Sequence, residues 1–335
     1  MAKLNVALVA GGYSGEYVIS IKSAGVAEQH INPRKYNVFK IIITKEKWFY
    51  TAADGQEYLI DKNDFSLKIG RKKVKFDVAL MIIHGTPGED GKLQGYFDML
   101  NIPYTSCDAI TSALTFNKRW TVATAAFGGV NVAKSLHIFK QTPLSTEAIL
   151  AHLKLPVFVK PNNGGSSIGM SRVEKAIDLA DALERAFKED NQILVEEFIK
   201  GREFTVGVMQ TRGKLEVLPI CEVIAKKAFF DYEAKYTAGM SEEIIPAAVT
   251  DSQAKTLRET VKKVYQIFNC KGIIRVDFIW NEADNKPYML EANTVPGQSE
   301  SRSLDAGLKM LPVLQWLFLV CMTQSQLTGT HSVSL

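Results

Sequence analysis

The sequence predicts an α/β and α+β chain, with an N-terminal three-layer α/β domain followed by two smaller sheet-centred units. Three observations carry this. The first third alternates apolar strand-like runs (6–9, 38–43, 78–83) with helical stretches (20–30, 93–100), the pattern of βαβ units around a parallel sheet. Past Asn101-Ile-Pro-Tyr-Thr105, a helical stretch over 109–127 meets Gly128-Gly129, and short strands follow at 135–139, 156–160 and 192–197. From Glu203 to Asn293 strands dominate, interrupted by one long helix over 252–268, with turn signals at 211–213 and 281–287. The expected divisions are 1–109, 110–197 and 198–335. Because the joins carry no Pro- or Ser-rich linker, the units should pack together and form a site between them.

Composition narrows the function classes. A chain of 335 residues, 46% hydrophobic and 23% charged, is that of a globular protein with room for two or three domains. Lys and Arg number 40 against 36 Asp and Glu, a net charge of +4 with basic residues dispersed, so no nucleic-acid partner is implied. The densest basic run, 68–75, reads as a solvated hairpin. Cys107, Cys221, Cys270 and Cys321 form no Cys-x-x-Cys pair, which points to neither a disulfide framework nor a thiolate zinc site and fits a reduced cytoplasm. Residues 1–10 read as a buried first strand and not as a signal peptide. The apolar segment 310–322 falls short of the ~20 residues a span requires, and reads as a packed C-terminal helix with no membrane partner.

Strand periodicity in Gly272-Ile-Ile-Arg-Val-Asp-Phe-Ile-Trp280 puts Arg275 and Asp277 on one face and Ile274, Val276 and Phe278 on the other. In Tyr288-Met-Leu-Glu-Ala-Asn293, Glu291 and Asn293 share a face opposed by Leu290 and Ala292, and the intervening turn pairs the two strands as a hairpin. Asp277, Glu291 and Asn293 then converge as a hard-oxygen set without Cys or His. Such a set suits Mg²⁺, which takes few protein ligands and completes its octahedron with phosphate and water. By alternation alone, ordinary ion pairs on an exposed sheet face are an equally open reading.

The stretch Pro156-Val-Phe-Val-Lys-Pro-Asn-Asn-Gly-Gly-Ser-Ser-Ile-Gly-Met170 is an apolar strand ending in Lys160, then a loop with glycines at 164, 165 and 169. Backbone N–H groups of such a loop can wrap phosphate oxygens. The lysine precedes the glycines, so this is not a Walker A loop, and the dinucleotide Gly-x-Gly-x-x-Gly spacing is absent.

Together, His84-Gly-Thr-Pro-Gly-Glu-Asp-Gly91 with Gln94-Gly95, the glycine-serine loop, Glu196-Glu-Phe-Ile-Lys-Gly-Arg-Glu-Phe-Thr-Val206, Asp231-Tyr-Glu-Ala-Lys-Tyr236, Arg275-Val-Asp277 and Glu291-Ala-Asn-Thr-Val-Pro-Gly297 closely resemble the D-alanine:D-alanine ligase family. The resemblance runs in order from about residue 4 to 300. It implies a two-part ATP-grasp fold after the N-terminal domain, with ATP between the two parts. Lys118 and Lys160 would meet its phosphates, and the loop of Gly165, Ser166 and Ser167 would close over them. Glu196, Glu197, Phe198 and Ile199 would form the adenine hinge, Glu203 the ribose contact, and Phe229 and Lys235 further nucleotide contacts. Asp277, Glu291 and Asn293 would hold Mg²⁺ or Mn²⁺, two ions in all.

The resemblance further implies that Glu16 holds the first substrate's ammonium, linked to Ser166 and Tyr236, with His84 and Glu89 as additional active-site positions. Arg275 and the Gly297 N–H would stabilise the oxyanion of the tetrahedral intermediate. The implied reaction joins two D-alanines through a D-alanyl phosphate for peptidoglycan precursor synthesis, with D-alanine and ATP as partners and a homodimer as assembly. Tyr236 favours a dipeptide product over D-alanyl-D-lactate.

The resemblance breaks after Pro296-Gly297. The family continues with Ser-Leu or Ser-Ile, then Pro and an alanine-rich helix that binds the second substrate's carboxylate, whereas this chain reads Gln298-Ser-Glu-Ser-Arg-Ser-Leu-Asp-Ala-Gly307. Ser303 and Leu304 fill that role with a one-residue shift. Three alternatives therefore stay open: another ATP-grasp carboxylate–amine ligase, a D-alanine:D-lactate ligase, and a nucleotide-binding protein with impaired turnover.

Overall fold

The first apolar run becomes β1 (Leu4–Gly11) in the computed structural model, which describes residues 2–165, 168–211, 213–225 and 241–297. Ser166, Ser167, Phe229, Lys235, Tyr236, Ser303, Leu304, Cys321 and the expected helix at 310–322 lie outside the described residues. β1 is buried on both faces. Ala7 and Val9 enter one core with Leu93 and Phe97 of α2 (Lys92–Met99), and Val6, Leu8 and Ala10 enter another with Ala24 and Ala27 of α1 (Tyr17–His30). Alternate side chains of one strand thus hold two helical layers apart, the signature of a three-layer domain.

β1 pairs in parallel with β2 (Tyr36–Ile43) and β7 (Val78–Met81). The sheet continues antiparallel through β3 (Trp48–Thr51), β4 (Glu57–Asp61), β5 (Ser66–Ile69) and β6 (Lys72–Val74), in the order β6-β5-β4-β3-β2-β1-β7. The basic run is the β5–β6 hairpin at the sheet edge, where Lys73 pairs with Asp64 at 2.7 Å. Charge on an edge strand discourages pairing with other chains.

The helical stretch over 109–127 is two helices, α3 (Ala109–Phe116) and α4 (Lys118–Phe127), because Asn117 is extended and caps α4 by accepting from Trp120 N–H at 3.1 Å. Thr121 Oγ1 lies 2.9–3.0 Å from the carbonyls of Leu114, Thr115 and Asn117, and its one proton serves a backbone acceptor at the break. The break sets Lys118 at the first position of α4.

A second, antiparallel sheet has the order β10-β9-β11-β8, from β8 (Ser135–Phe139), β9 (Val157–Pro161), β10 (Ser171–Val173) and β11 (Gln192–Glu197). Leu179, Ala182 and Ala186 of α6 (Leu179–Glu189) and Ile149 of α5 (Thr146–Leu150) cover it. The glycine-serine loop is the β9–β10 connection.

A third sheet combines β12 (Gly201–Thr211), β13 (Lys214–Val217), β14 (Cys221–Ala225), β15 (Ser241–Ile244), β16 (Ile273–Asn281) and β17 (Lys286–Asn293), in the order β15-β14-β12-β16-β17 with β13 beside β12. Phe204, Val206, Ile274, Val276 and Phe278 bury one face against Leu257, Val261 and Val264 of α7 (Asp251–Ile267), whose start is fixed by a Thr250/Gln253 capping box. Truncating Phe278 to alanine in this core should cost about 3–5 kcal/mol. Cys107, Ala125 and Val130 join the same core, so α3 and α4 lean on the third sheet. With that face filled, the alternate residues of β12, β16 and β17 are left to build a polar surface.

Candidate active site

The polar surface is organised by register. Thr205 on β12 lies opposite Asp277 on β16, and Asp277 lies opposite Glu291 on β17, while Arg275 pairs with Asn293 one step along. Arg275 grips Asp277 with a fork, Nε to Oδ1 at 3.0 Å and Nη2 to Oδ2 at 2.9 Å, and its Nη2 is 4.0 Å from Glu291 Oε1. Thr205 Oγ1 donates to Asp277 Oδ1 at 2.7 Å, and Asn293 Nδ2 donates to Oδ2 at 3.3 Å. Burial opposes the charge of Arg275, but the Asp277 carboxylate outweighs it and holds the guanidinium above its ordinary range.

One expectation about this hairpin is corrected. Leu290 does not oppose Glu291 alongside Ala292. A β-bulge sits here, since Asp277 pairs with Glu291 but Phe278 pairs with Met289, which leaves Leu290 as the extra residue. Met289 takes the core position with Ala292.

On the second sheet, Lys160 is the penultimate residue of β9 and pairs with Glu196 of the neighbouring β11, Nζ to Oε2 at 2.5 Å, both side chains about nine-tenths buried (11% and 8% exposed). Lys118 Nζ donates to the Gly164 carbonyl at 2.6 Å, so both lysines flank the glycine loop. Asn162 fastens the arrangement: its side chain accepts from Arg119 N–H at 2.9 Å and its carbonyl from Lys118 N–H at 3.0 Å. Beyond Glu196, the Glu197 carboxylate accepts from Lys154 N–H at 3.1 Å. The Phe198 ring lies 5.9 Å from Phe158 and under the Arg172 guanidinium at 4.4 Å. Ile199 follows in the short join to β12, and Glu203 shares the polar face of β12 with Thr205.

From the N-terminal domain, Glu16 stands at the N-terminus of α1 without capping it. A Cβ added at Gly85 would lie 3.0 Å from Glu16 Oε2, and one added at Gly165 would lie 3.0 Å from Oε1. The carboxylate is thus wedged between the His84–Gly91 turn and the glycine loop, at a spot that only glycines leave open. Glu89 accepts from Gly85 N–H at 2.7 Å. Burial, then the neighbouring Glu16 charge, pushes the Glu89 carboxyl up to about 8, against the pull of Gly85 N–H and Arg275. His84 bridges two domains, with Nδ1 3.0 Å from the Val295 carbonyl and Nε2 3.2 Å from Ser23 Oγ of α1. Gly297, two residues further on, is buried.

The structure therefore brings Glu16, Gly165, His84, Glu89, Arg275, Asp277, Glu291 and Asn293 into one linked site, and places Lys160 and Glu196 on the second sheet with Lys118 of α4 against Gly164. Thr205, Ser23 and Asn162 escaped sequence reasoning. Thr205 was within reach, because it sits two residues after Glu203 and so on the same strand face. Ser23 and Asn162 carry no local signal, since their partners lie far away in sequence.

The donor set suits a hard divalent cation. Among the described residues no three His, Cys, Asp or Glu side chains gather as a metal cluster, and the third donor at the hairpin is the amide of Asn293. Two carboxylates and an amide match the sparse protein ligation of Mg²⁺ and not a closed structural site.

A glycine loop flanked by lysines beside one antiparallel sheet, with a hard-oxygen hairpin on another, is the architecture of an ATP-dependent ligase of the ATP-grasp class. Family models agree. The model described as D-ala D-ala ligase N-terminus matches residues 5–107, and that for the C-terminus matches 120–306. The chain is 46% identical over 293 residues to a D-alanine–D-alanine ligase of Flavobacterium johnsoniae, covering 88% of this chain and 90% of the relative. It is 43% identical over 297 residues to that of Parabacteroides distasonis, covering 89% of each. The crystal structure of D-alanyl-alanine synthetase A from Vibrio cholerae superposes with a TM-score of 0.86 at 28% identity, over 97% of this chain and 99% of that one. VanG D-Ala:D-Ser ligase from Enterococcus faecalis does so at 0.82 and 27%, over 96% and 100%. The chain belongs to the D-alanine–D-alanine ligase family.

Proposed function

We propose that this protein joins two D-alanines into D-alanyl-D-alanine at the expense of ATP, supplying a peptidoglycan precursor. The observation that carries the reading is the Arg275–Asp277 fork beside Glu291 and Asn293 on the hairpin, which the His84 ring ties to the N-terminal domain through the Val295 carbonyl. A carboxylate is a poor acyl donor because its leaving group would be oxide. Phosphoryl transfer from ATP gives D-alanyl phosphate, whose leaving group is phosphate, and the second D-alanine's amine then attacks the carbonyl.

Each part of the site has a task in this scheme. Lys118 and Lys160 balance phosphate charge, and the loop around Gly165, with Ser166 and Ser167, closes over the phosphates. Glu196 to Ile199 and Glu203 bind adenine and ribose, and Phe229 and Lys235 add further nucleotide contacts. Mg²⁺ or Mn²⁺ on Asp277, Glu291 and Asn293, two ions in all, would neutralise charge on the transferring phosphoryl group. Glu16 holds the first ammonium in a link with Ser166 and Tyr236, His84 and Glu89 serve as further active-site positions, and Ser303 and Leu304 receive the second carboxylate. Arg275 and the Gly297 N–H meet the oxyanion, a contact worth about 10²–10³ in kcat where single donors have been removed from such sites.

The division at 1–109, 110–197 and 198–335 belongs to the same reading, supported by three sheets that share no strand. So do a cytoplasmic location and a homodimer. Among the described residues no helix is long and apolar enough to cross a membrane.

Purified protein given D-alanine, ATP and Mg²⁺ should release phosphate and form the dipeptide in equal amounts. Absence of phosphate release would sink the proposal, and tight ATP binding without D-alanine-dependent release would identify a nucleotide-binding protein instead. Product analysis with mixed D-alanine and D-lactate separates dipeptide from depsipeptide synthesis.

A further inference from the structure

We infer that Thr205 is a positioning residue for the Asp277 carboxylate, and through it sets the affinity of the hairpin for a divalent cation. The inference rests on the reading of Asp277, Glu291 and Asn293 as cation ligands. Thr205 and Asp277 are paired residues of adjacent strands, 8% and 7% exposed, joined by a 2.7 Å hydrogen bond. A buried hydroxyl must spend its proton on some acceptor. A β-branched side chain on a central strand has little choice of χ1, so the donor's direction is fixed by backbone.

The hydrogen-bond balance at Asp277 shows what this contact does. Oδ1 accepts from Thr205 and from Arg275 Nε, and Oδ2 accepts from Arg275 Nη2 and from Asn293 Nδ2. A carboxylate offers about four lone-pair directions, so all are engaged. A cation that ligates Asp277 takes the place of one donor, and the four donors are not equal. The Asn293 contact is the longest at 3.3 Å, and the same amide can present its oxygen to a cation only by turning its NH₂ group away. The two Arg275 contacts form one planar fork and act together.

Thr205 makes the shortest of the four contacts, is uncharged, and stands on a separate strand whose neighbouring side chains, Phe204 and Val206, are locked in the core. Its hold on Oδ1 would persist while the carboxylate exchanged a weaker donor for a cation. Removing the hydroxyl leaves Oδ1 one donor short and takes away the hydrogen bond that holds the Asp277 carboxylate from β12. Loss of such an outer contact typically weakens metal affinity about 10–100-fold.

The test is Mn²⁺ binding to the full chain with saturating ADP, read from the electron paramagnetic resonance signal of free Mn²⁺, for wild type, Thr205→Val, Thr205→Ala, Thr205→Ser and Asp277→Asn. The expected result is loss of binding in Asp277→Asn, a dissociation constant raised about 10–100-fold in Thr205→Val and Thr205→Ala, and return to the wild-type range in Thr205→Ser. Far-UV circular dichroism checks folding, and Thr205→Ala carries the comparison if valine is not accommodated. Wild-type affinity in the valine and alanine variants, with binding lost in Asp277→Asn, overturns the role of Thr205 and leaves the ligand reading standing. Serine weakening binding as much as valine overturns it too. Unchanged binding in Asp277→Asn overturns the ligand reading itself.

Discussion

Arg275 illustrates how a single side chain is held ready for charge that has yet to develop. Its guanidinium is buried and forked onto Asp277, with the Glu291 carboxylate 4.0 Å away adding to the negative field around it. Lysine in its place keeps a charge but loses the rigid fork, and the two residues are not equivalent at a bidentate site. Arg275→Lys should lower kcat for dipeptide formation by about 10²–10³, with the KM for ATP little changed, as steady-state kinetics of phosphate release would show. A kcat close to wild type would remove Arg275 from the oxyanion. Alternation placed Arg275, Asp277, Glu291 and Asn293 on one face, and that much was legible because a strand has a period of two. The bulge at Leu290 was not legible, since an extra residue shifts register without a composition signal. Nor was the fork, which alternation alone could not tell from a surface ion pair.

Elements are placed here by their caps. Asp108 stands before α3, accepting from Thr111 N–H at 2.9 Å and pairing with Lys271 at 3.2 Å, and so ties the start of the helix to the chain entering β16. Burial alone would raise its carboxyl, but the Thr111 N–H and Lys271 outweigh it and hold the group below the usual carboxylate range. A depressed folded-state value means stabilisation that is fully present above the unfolded value and lost as pH falls through the folded one. Asp108→Ala should therefore cost about 1 kcal/mol near neutral pH, and the gap to wild type should close in acid, as urea unfolding across the two ranges would reveal. A gap independent of pH would mean that the charge is not involved. At Asn117 the cap also carries function, because the helix break sets Lys118 against Gly164. Asn117→Ala should destabilise by about 1 kcal/mol and raise the KM for ATP, whereas Asn117→Asp should preserve both, a contrast that kinetics and unfolding together would test. The sequence read 109–127 as one helix because its residues are all tolerable in one. Cap geometry decided otherwise.

At the scale of the whole molecule, βαβ order in the first third and strand-rich order in the last were legible from periodicity, and three sheets follow from them. What joins the sheets was not, because it depends on single contacts between residues far apart in sequence. Gly272, at positive φ, lies so close to the Thr105 carbonyl that an added Cβ would sit 2.5 Å away. His84 is the more telling join, since its ring reaches Ser23 on α1 and the Val295 carbonyl just before Pro296-Gly297. If the Gly297 N–H serves the oxyanion, the imidazole sets its position relative to the first-substrate pocket around Glu16. His84→Ala removes both links and leaves a buried carbonyl short of a donor, which should cost about 1–3 kcal/mol of stability. A displacement of about 1 Å at reacting groups can lower turnover about 10²-fold, so kcat should fall while the KM for ATP holds. Ser23→Ala breaks only the link to α1 and leaves the Val295 contact in place, so its loss of kcat should be much the smaller. Equal losses in the two variants would show that the bridge acts through α1 and not through the chain before Gly297.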